Sequence, residues 1–315
     1  MKINVPVLST THGSRIAGCQ EIIFPKPQRD AGGFAMEIID AHVHSLPRGT
    51  MDGGETDVRL ETVLSGLRAR NITRAIFVPI NDAWWQPVDE MNDYMVEVVR
   101  KHPSIVGFID IDISKAHLYG GIERLEKDIE MRYSSGLRGI KVHLQNLGVN
   151  ADDWRLLPVY RLAGELNIPV MLHCYPGSGP GLLENSSPLY IEKMIRAFRK
   201  THFIISHLGG IPYVDLLPHL YHDNVRFETS GVLPTLKRYL GTERLSHLLN
   251  DIGYERIFFG SDFPSCDLDT QISILKEIVP REQWNKVFSG NILEFGREFG
   301  WWVETADCEN TGTIL

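Results

Sequence analysis

Eight short segments of the chain are rich in Ile, Val and Phe and show little alternation of polar and apolar residues. Such segments are typical of strands buried on both faces of a parallel sheet. Amphipathic stretches, long enough for crossover helices, lie between most of them. The predicted strands span residues 37–44, 74–80, 105–113, 138–144, 169–174, 202–208, 225–231 and 256–262.

These predicted strands recur at intervals of 22 to 37 residues, measured between one central residue in each. A strand followed by a helix, eight times over, predicts an α/β protein with a single closed (β/α)₈ TIM barrel. An open, doubly wound sheet is the alternative. That fold usually has about five or six strands and a Gly-rich phosphate turn after the first. The first strand here leads into HVHSLPRGT, which is not such a turn, so the barrel is favoured.

The barrel does not account for the two ends of the chain. Residues 1–35 mix Pro, Gly, charges and short apolar pieces without an amphipathic period, and Met36 directly precedes the first strand. Residues 303–315 have little apolar content, and such tails fray. We therefore predict an N-terminal extension over 1–35 that is loosely packed or accessory, the barrel over 36–302, and a C-terminal tail over 303–315.

Composition narrows the class of protein. With 43% hydrophobic and 23% charged residues, the 315-residue chain is typical of a soluble globular protein. Its net charge of -8 argues against a nucleic-acid partner, because Lys and Arg supply most of that binding energy. No apolar run approaches the roughly 18 residues of a membrane span. Four scattered cysteines without a CxxC pair favour a reduced, cytoplasmic protein.

Histidines gather at the carboxyl ends of the predicted strands, where a (β/α)₈ barrel carries its active site. Residues i and i+2 of a strand face the same side, so His42 and His44 both point into the barrel. Asp262 ends strand eight, which adjoins strand one once the barrel closes. Imidazoles with one carboxylate predict one divalent metal ion, Zn²⁺ first, with Mn²⁺, Fe²⁺ or Co²⁺ as alternatives. The strand-end histidines are His42, His44, His143, His173 and His207.

These motifs together resemble the amidohydrolase superfamily, and within it the amidohydrolase-2 branch of aminocarboxymuconate semialdehyde decarboxylase-like, metal-dependent TIM-barrel enzymes. The resemblance extends from residue 37 to about residue 300. It is specific for the superfamily and much less so for the reaction. The matching segments are IIDAHVH at 38–44, NDYMVEVVRKHPSIVGFIDID at 92–112, LRGIKVH at 137–143, VMLHC at 170–174, FIISHLGG at 203–210 and FFGSDFP at 258–264.

The resemblance implies roles for individual residues. It implies metal ligation by His42, His44, His173 and Asp262. It also implies that Asp262 accepts a proton from the attacking water and that His207 orients or protonates the substrate. These two residues are therefore the predicted catalytic pair.

Two reactions remain open at such a site. The first is hydrolysis of an amide, lactone or ester bond in a small, carboxylated or cyclic substrate. The second is non-oxidative decarboxylation, or hydration, of a small carboxylic acid with the same ligands. A third possibility is that the protein binds a metal or acts as a scaffold without catalysing a reaction. We expect a small-molecule substrate and neither nucleic acid nor membrane as partner; a homodimer or higher homo-oligomer is compatible with the sequence.

The loops after the strands offer three candidate substrate contacts. Arg48 follows the histidine pair and could clamp a carboxylate, although a solvated loop arginine is the simpler interpretation. Trp84 and Trp85 follow strand two and could wall a planar substrate, or equally form a plug or an oligomer contact. The stretch PGSGPG at 176–181 is flexible enough to be a lid.

Lys141 and His143 on strand four face the same side and are candidates for a second metal or a substrate contact. A buried ammonium beside a metal is costly. The lysine could be carboxylated by CO₂ and bridge two metals, as in binuclear superfamily members. It could instead stay cationic, paired with Asp262 or a substrate carboxylate, or lose its proton. The branch that the chain resembles is mostly mononuclear with an unmodified lysine, so we favour the cation and one metal.

Overall fold

The computed structural model describes residues 36–174 and 181–302. Eight parallel strands in these residues form the centre of the fold. A short antiparallel ladder of Thr50–Met51 with Thr56–Asp57 follows the first of them. The strands are β1 Ile38–Val43, β2 Ile72–Phe77, β3 Ile105–Gly107, β4 Ile140–Val142, β5 Val170–Leu172, β6 Phe203–Ile205, β7 Val225–Glu228 and β8 Ile257–Phe258.

The strands form a three-stranded sheet, β1 to β3, and a five-stranded sheet, β4 to β8, which meet at two seams. At one seam the backbone N–H of Ile109 donates to Gly139 at 2.8 Å, and that of Lys141 donates to Ile109 at 3.0 Å. At the other seam the N–H of Ala41 donates to the carbonyl of Phe259 at 2.8 Å. Every strand therefore has two neighbours, and the predicted (β/α)₈ barrel is confirmed.

Helices connect the strands, with one exception. Between β6 and β7 the chain forms a 3₁₀ segment, Ile211–Leu220, in which Pro218 lacks the N–H that the interior of an α-helix needs. The expectation of a helix after every strand is wrong at this crossover. None of the helices described is long and apolar enough to cross a bilayer. The helices are α1 Leu60–Arg68, α2 Val88–Lys101, α3 Gly121–Ser134, α4 Leu157–Leu166, α5 Pro188–Ala197, α6 Leu233–Ile252, α7 Leu268–Ile278 and α8 Asn291–Glu298.

The two sides of each strand pack into different environments. In β4, Ile140 and Val142 join the large apolar cluster that includes the helices, whereas Lys141 does not. A second cluster unites strand residues such as Met171 and Phe258 with the C-terminal aromatic residues, including Trp301. The apolar side chains of this second cluster fill the barrel around the C-terminal aromatic residues. The polar side chains of the strands lie toward the carboxyl ends.

The Asp40 side chain makes hydrogen bonds across the seam between β1 and β8. The register of β1 against β2 shifts between Asp40 and Val43. Here the Asp40 carboxylate accepts hydrogen bonds from the backbone N–H of His42 at 3.1 Å and of Ser261 at 3.0 Å. Its second oxygen accepts from the Ser261 hydroxyl at 2.5 Å. The carboxylate therefore accepts backbone N–H groups that would otherwise pair between strands where β1 and β8 meet.

Replacing this carboxylate tests how far the seam depends on it. We expect Asp40→Asn to lower the free energy of unfolding by about 1–3 kcal/mol, because the amide has one acceptor oxygen where the carboxylate has two, so the hydrogen bond from the Ser261 hydroxyl is lost or must reverse. Urea unfolding of metal-free protein measures the change. Asp251→Asn, an exposed substitution near the end of α6, should stay within about 0.5 kcal/mol of the unsubstituted protein. Equal stabilities for the two variants would contradict the proposed role of Asp40.

Candidate metal centre

The predicted histidines and Asp262 lie together at the carboxyl end of the barrel. The strands are shorter than predicted, so most of these residues stand just beyond a strand rather than within it. His42 is in β1; His44, His143, His173, His207 and Asp262 follow β1, β4, β5, β6 and β8.

Three of the four predicted ligands converge. One ligand atom from each of His42, His44 and Asp262 lies within 4.8 Å of the others. Oδ1 of Asp262 is 3.1 Å from Nε2 of His44 and 3.6 Å from Nε2 of His42. Asp262 has a left-handed backbone, with φ 66°, and its N–H donates to the carbonyl of His42 at 3.0 Å. This turn directs the carboxylate toward the imidazoles.

Hydrogen bonds on the far side of each ring set its tautomer. Nδ1 of His44 donates to the carbonyl of Val78 at 2.9 Å, and Nδ1 of His42 donates to Oε1 of Glu228 at 3.0 Å. In the neutral rings Nε2 therefore carries a lone pair. Burial, with the charge of Lys141, lowers the pKa of His42 to about 3, so that ring is neutral.

The carboxylate of Asp262 completes the set of atoms that could bind a metal. Burial raises its pKa, whereas a proton on Nε2 of His44, where no metal is bound, would donate to Oδ1 and hold that pKa well below its usual range. With a metal in place of that proton the group is again a carboxylate. Two imidazole lone pairs thus face a carboxylate oxygen. Nitrogen and oxygen donors with these hydrogen-bond partners are what a divalent ion binds. The residues fit the predicted metal.

His173, the fourth predicted ligand, lies beside this group rather than within it. Its Nδ1 is 3.0 Å from Nε2 of His207, whose own Nδ1 donates to the carbonyl of Ser230 at 2.9 Å. In neutral rings Nε2 of His207 therefore accepts the proton of His173, and Nε2 of His173 carries a lone pair. Ligation by His173 stays a prediction. Burial lowers the pKa of His207, which favours an accepting or orienting role over proton donation.

Lys141 lies in the barrel interior as predicted, and it is fully buried. Its Nζ is 3.4 Å from Nε2 of His42 and 3.5 Å from the hydroxyl of Ser206. Burial lowers the pKa of Lys141 to about 8, against the opposing effect of the carboxylates of Glu228 and Asp262. The ammonium form therefore predominates at neutral pH.

His143 is half-buried, and its ring stacks on His173 with a centroid distance of 3.4 Å. Its Nδ1 accepts the backbone N–H of Asn146 at 3.1 Å. Burial holds the pKa of His143 well below its usual range, so the ring is neutral with its proton on Nε2. This tautomer offers a hydrogen-bond donor, which suits a substrate contact better than a second metal.

Of the three predicted loop contacts, Arg48 and Trp84 are exposed, and Trp85 is half-buried against the large apolar cluster. Trp84 is 97% exposed. The guanidinium of Arg48 lies 5.9 Å from the centre of the Trp85 ring, and the Trp85 indole donates to the carbonyl of Thr50 at 2.9 Å. Their role in substrate binding stays a prediction. Most of the predicted lid, residues 176–180, lies outside the described residues, as do the predicted extension 1–35 and tail 303–315.

Sequence reasoning missed two carboxylates that belong to this end of the barrel. Glu228 ends β7 and Asp40 lies in β1, and both are fully buried. Both hydrogen-bond to His42, Glu228 through the ring and Asp40 through the backbone N–H. The signal available in the sequence is a charged residue within an otherwise apolar strand, which Asp40 and Glu228 share with Lys141.

A sequence model of the family described as Amidohydrolase matches residues 39–295. No curated protein sequence matches the chain significantly. Among solved structures, an uncharacterized TIM-barrel protein from Bordetella bronchiseptica is 18% identical, with a TM-score of 0.67, over 84% of this chain and 100% of that one. At this identity the likeness shows the fold alone.

Two further similar structures belong to proteins with named activities. A probable 2-pyrone-4,6-dicarboxylic acid hydrolase from Acinetobacter baumannii is 16% identical, with a TM-score of 0.59, over 83% of this chain and 100% of that one. A dihydroxybenzoic acid decarboxylase from Polaromonas sp. JS666, with bound manganese, is 16% identical, with a TM-score of 0.63, over 83% of this chain and 97% of that one.

Proposed function

We propose a function from the premise that this chain belongs to the amidohydrolase-2 family, whose members are metal-dependent enzymes. The proposed activity is hydrolysis of an amide, lactone or ester bond in a small, carboxylated or cyclic substrate. The observation that carries it is the convergence of His42, His44 and Asp262, with both imidazole lone pairs directed at the carboxylate.

The residues have distinct tasks in this proposal. A divalent ion held by His42, His44, Asp262 and His173 would lower the pKa of water to about 7 and polarise a carbonyl. The Asp262 carboxylate accepts the proton of the attacking water. His207, which lies beside the predicted ligand His173, orients the substrate. Zn²⁺ is the proposed ion; Mn²⁺ is the next candidate, and Fe²⁺ or Co²⁺ remain alternatives.

Non-oxidative decarboxylation is the second candidate. The buried Lys141 ammonium beside the cluster could pair with a substrate carboxylate next to the metal. One of the similar structures is a dihydroxybenzoic acid decarboxylase, and another is a probable pyrone dicarboxylic acid hydrolase. For either reaction we propose a cytoplasmic enzyme with a small-molecule substrate and no nucleic-acid or membrane partner.

A substrate panel separates the two reactions. Purified, zinc-loaded protein is incubated with lactones, amides, esters and hydroxylated aromatic acids, while acid release and CO₂ release are recorded separately. Acid release without CO₂ supports hydrolysis, and CO₂ release supports the second candidate. Absence of metal-dependent turnover across the panel would favour a binding protein.

A histidine substitution connects any turnover to this site. We expect His207→Asn to lower kcat by about 10²-fold while the metal content is unchanged, because a positioned proton-handling group typically contributes 10² to 10⁴. His202→Asn is the matched control, since that histidine lies before β6 and contacts Phe295 and Phe299. A similar loss in both variants would show that His207 has no special role.

The metal content tests the state of Lys141. We expect one equivalent of metal per chain, because an ammonium at this position cannot bridge two cations. Elemental analysis measures the metal content, and intact-protein mass spectrometry shows whether Lys141 carries an added carboxylate. Two equivalents, a CO₂-dependent gain in activity and a carboxylation mass shift at Lys141 would overturn the mononuclear assignment.

A further inference from the structure

Glu228, the last residue of β7, is fully buried and accepts hydrogen bonds from three other parts of the chain. Oε1 accepts from Nδ1 of His42 and from the backbone N–H of His207, each at 3.0 Å. Ser230 donates its hydroxyl to Oε1 at 2.8 Å and its N–H to Oε2 at 2.7 Å. Four donors thus surround this carboxylate, three at Oε1 and one at Oε2.

The Ser230 hydroxyl lies at the centre of this arrangement. Its Oγ is 3.1 Å from Nδ1 of His42 and 2.8 Å from Nδ1 of His207. One atom each of His42, His207 and Glu228 also lies within 4.8 Å of the others, as in a metal site. Here, however, the hydroxyl lies among them and the ring N–H groups already have oxygen acceptors. The group is a hydrogen-bond junction, not a second metal site.

The surrounding backbone is shaped to receive this carboxylate. His207 has φ 56° and Leu208 has φ 45°, a left-handed conformation that is unfavourable for residues with a Cβ. The hydrogen bond from the N–H of His207 to Glu228 holds that conformation. At residue 260, a Cβ would collide with Oε2 of Glu228, so Gly260 leaves the space that the carboxylate needs.

We infer that Glu228 is a positioning residue for both the metal centre and His207. By accepting the Nδ1 proton of His42, it directs the Nε2 lone pair toward Asp262, and a carboxylate in this place also makes the imidazole a better ligand. By holding the backbone of His207, it fixes where that ring lies. This inference rests on the proposed function, because it takes His42, His44 and Asp262 to be a metal site.

The test is Glu228→Gln, which keeps the size of the side chain but removes the charge and one acceptor. We expect Zn²⁺ affinity to fall about 10- to 100-fold, as is typical when the partner of a ligating histidine is lost. Competition with a chromophoric chelator measures this on metal-free protein, without any substrate. In the zinc-loaded enzyme we expect kcat to fall by a similar factor, with KM changed less than about twofold.

Two other variants keep the test decisive. Ser230→Ala leaves the carboxylate in place and should weaken Zn²⁺ binding less than Glu228→Gln does, so it serves if the glutamine variant does not fold. Asp110→Asn neutralises another buried carboxylate, which bonds Asn81 and lies beyond β3. It should lower the melting temperature without changing Zn²⁺ affinity. Zn²⁺ affinity within twofold of the unsubstituted protein in both Glu228→Gln and Ser230→Ala would overturn the inference.

Asp262→Asn separates this inference from the proposed function. If Asp262→Asn weakens Zn²⁺ binding and Glu228→Gln does not, only the role of Glu228 is wrong. If neither variant weakens Zn²⁺ binding, the metal centre itself is misplaced and the proposed function fails with it. If both weaken binding and Asp110→Asn does not, the inference is supported.

Discussion

Asp262→Asn is expected to lower kcat by about 10³-fold or more. The substitution removes the anionic member of the cluster and the group proposed to accept the proton of water. A positioned general base alone contributes about 10² to 10⁴, and weaker metal binding adds to the loss.

Steady-state kinetics at saturating Zn²⁺, with metal content measured on the same sample, separates the loss of the base from the loss of the ion. Asp269→Asn is the matched control: it removes the same charge seven residues later, from a carboxylate that is 65% exposed and pairs with Arg70. Arg48→Ala should raise KM more than it lowers kcat. A kcat loss in Asp262→Asn no larger than in Arg48→Ala would show that the base lies elsewhere.

Chelation is expected to reduce turnover below about 1% and to leave the barrel folded. The backbone hydrogen bonds at both seams and the two apolar clusters involve none of the metal-facing atoms. The far-UV circular dichroism should therefore keep its helical signal. The melting temperature should fall, because an ion that binds only the native state stabilises it by mass action.

Adding Zn²⁺ back to the dialysed protein should restore turnover, and parallel additions of Mn²⁺, Fe²⁺ and Co²⁺ rank the candidate metals. Mg²⁺ is the control, since it prefers oxygen donors and should restore little. Loss of the helical signal on chelation would show that the ion is structural. Full turnover in the chelated protein would remove the metal from the mechanism.

The amino-acid sequence alone determined the barrel and the end of it that carries the chemistry. Strand segments such as 203–205 are apolar on both sides, and this pattern directly reports burial on both faces of a sheet. Their order and spacing leave few topologies, because parallel strands need crossovers. Once the barrel is accepted, closure alone brings Asp262 next to His42 and His44. All of these steps depend on periodicity and chain order.

Local backbone chemistry decided several features that periodicity does not report. The crossover at Ile211–Leu220 is 3₁₀ and contains Pro218, which the interior of an α-helix does not accommodate. The strands are shorter than the apolar segments: β6, for example, ends at Ile205, just before the left-handed backbone of His207 and Leu208. An apolar run shows that a segment is buried, but not where its strand pairing stops.

The tertiary structure alone decided which groups hold the site together. Glu228 and His42 are 186 residues apart and meet at 3.0 Å, and the partner of each Nδ1 fixes which nitrogen of the ring carries a lone pair. His143 has the same strand-end position as His173, yet its Nδ1 accepts a backbone N–H. Tautomers and buried partners depend on contacts between side chains from different strands. A strand's own sequence specifies which way its residues face, and the packed barrel specifies what they meet.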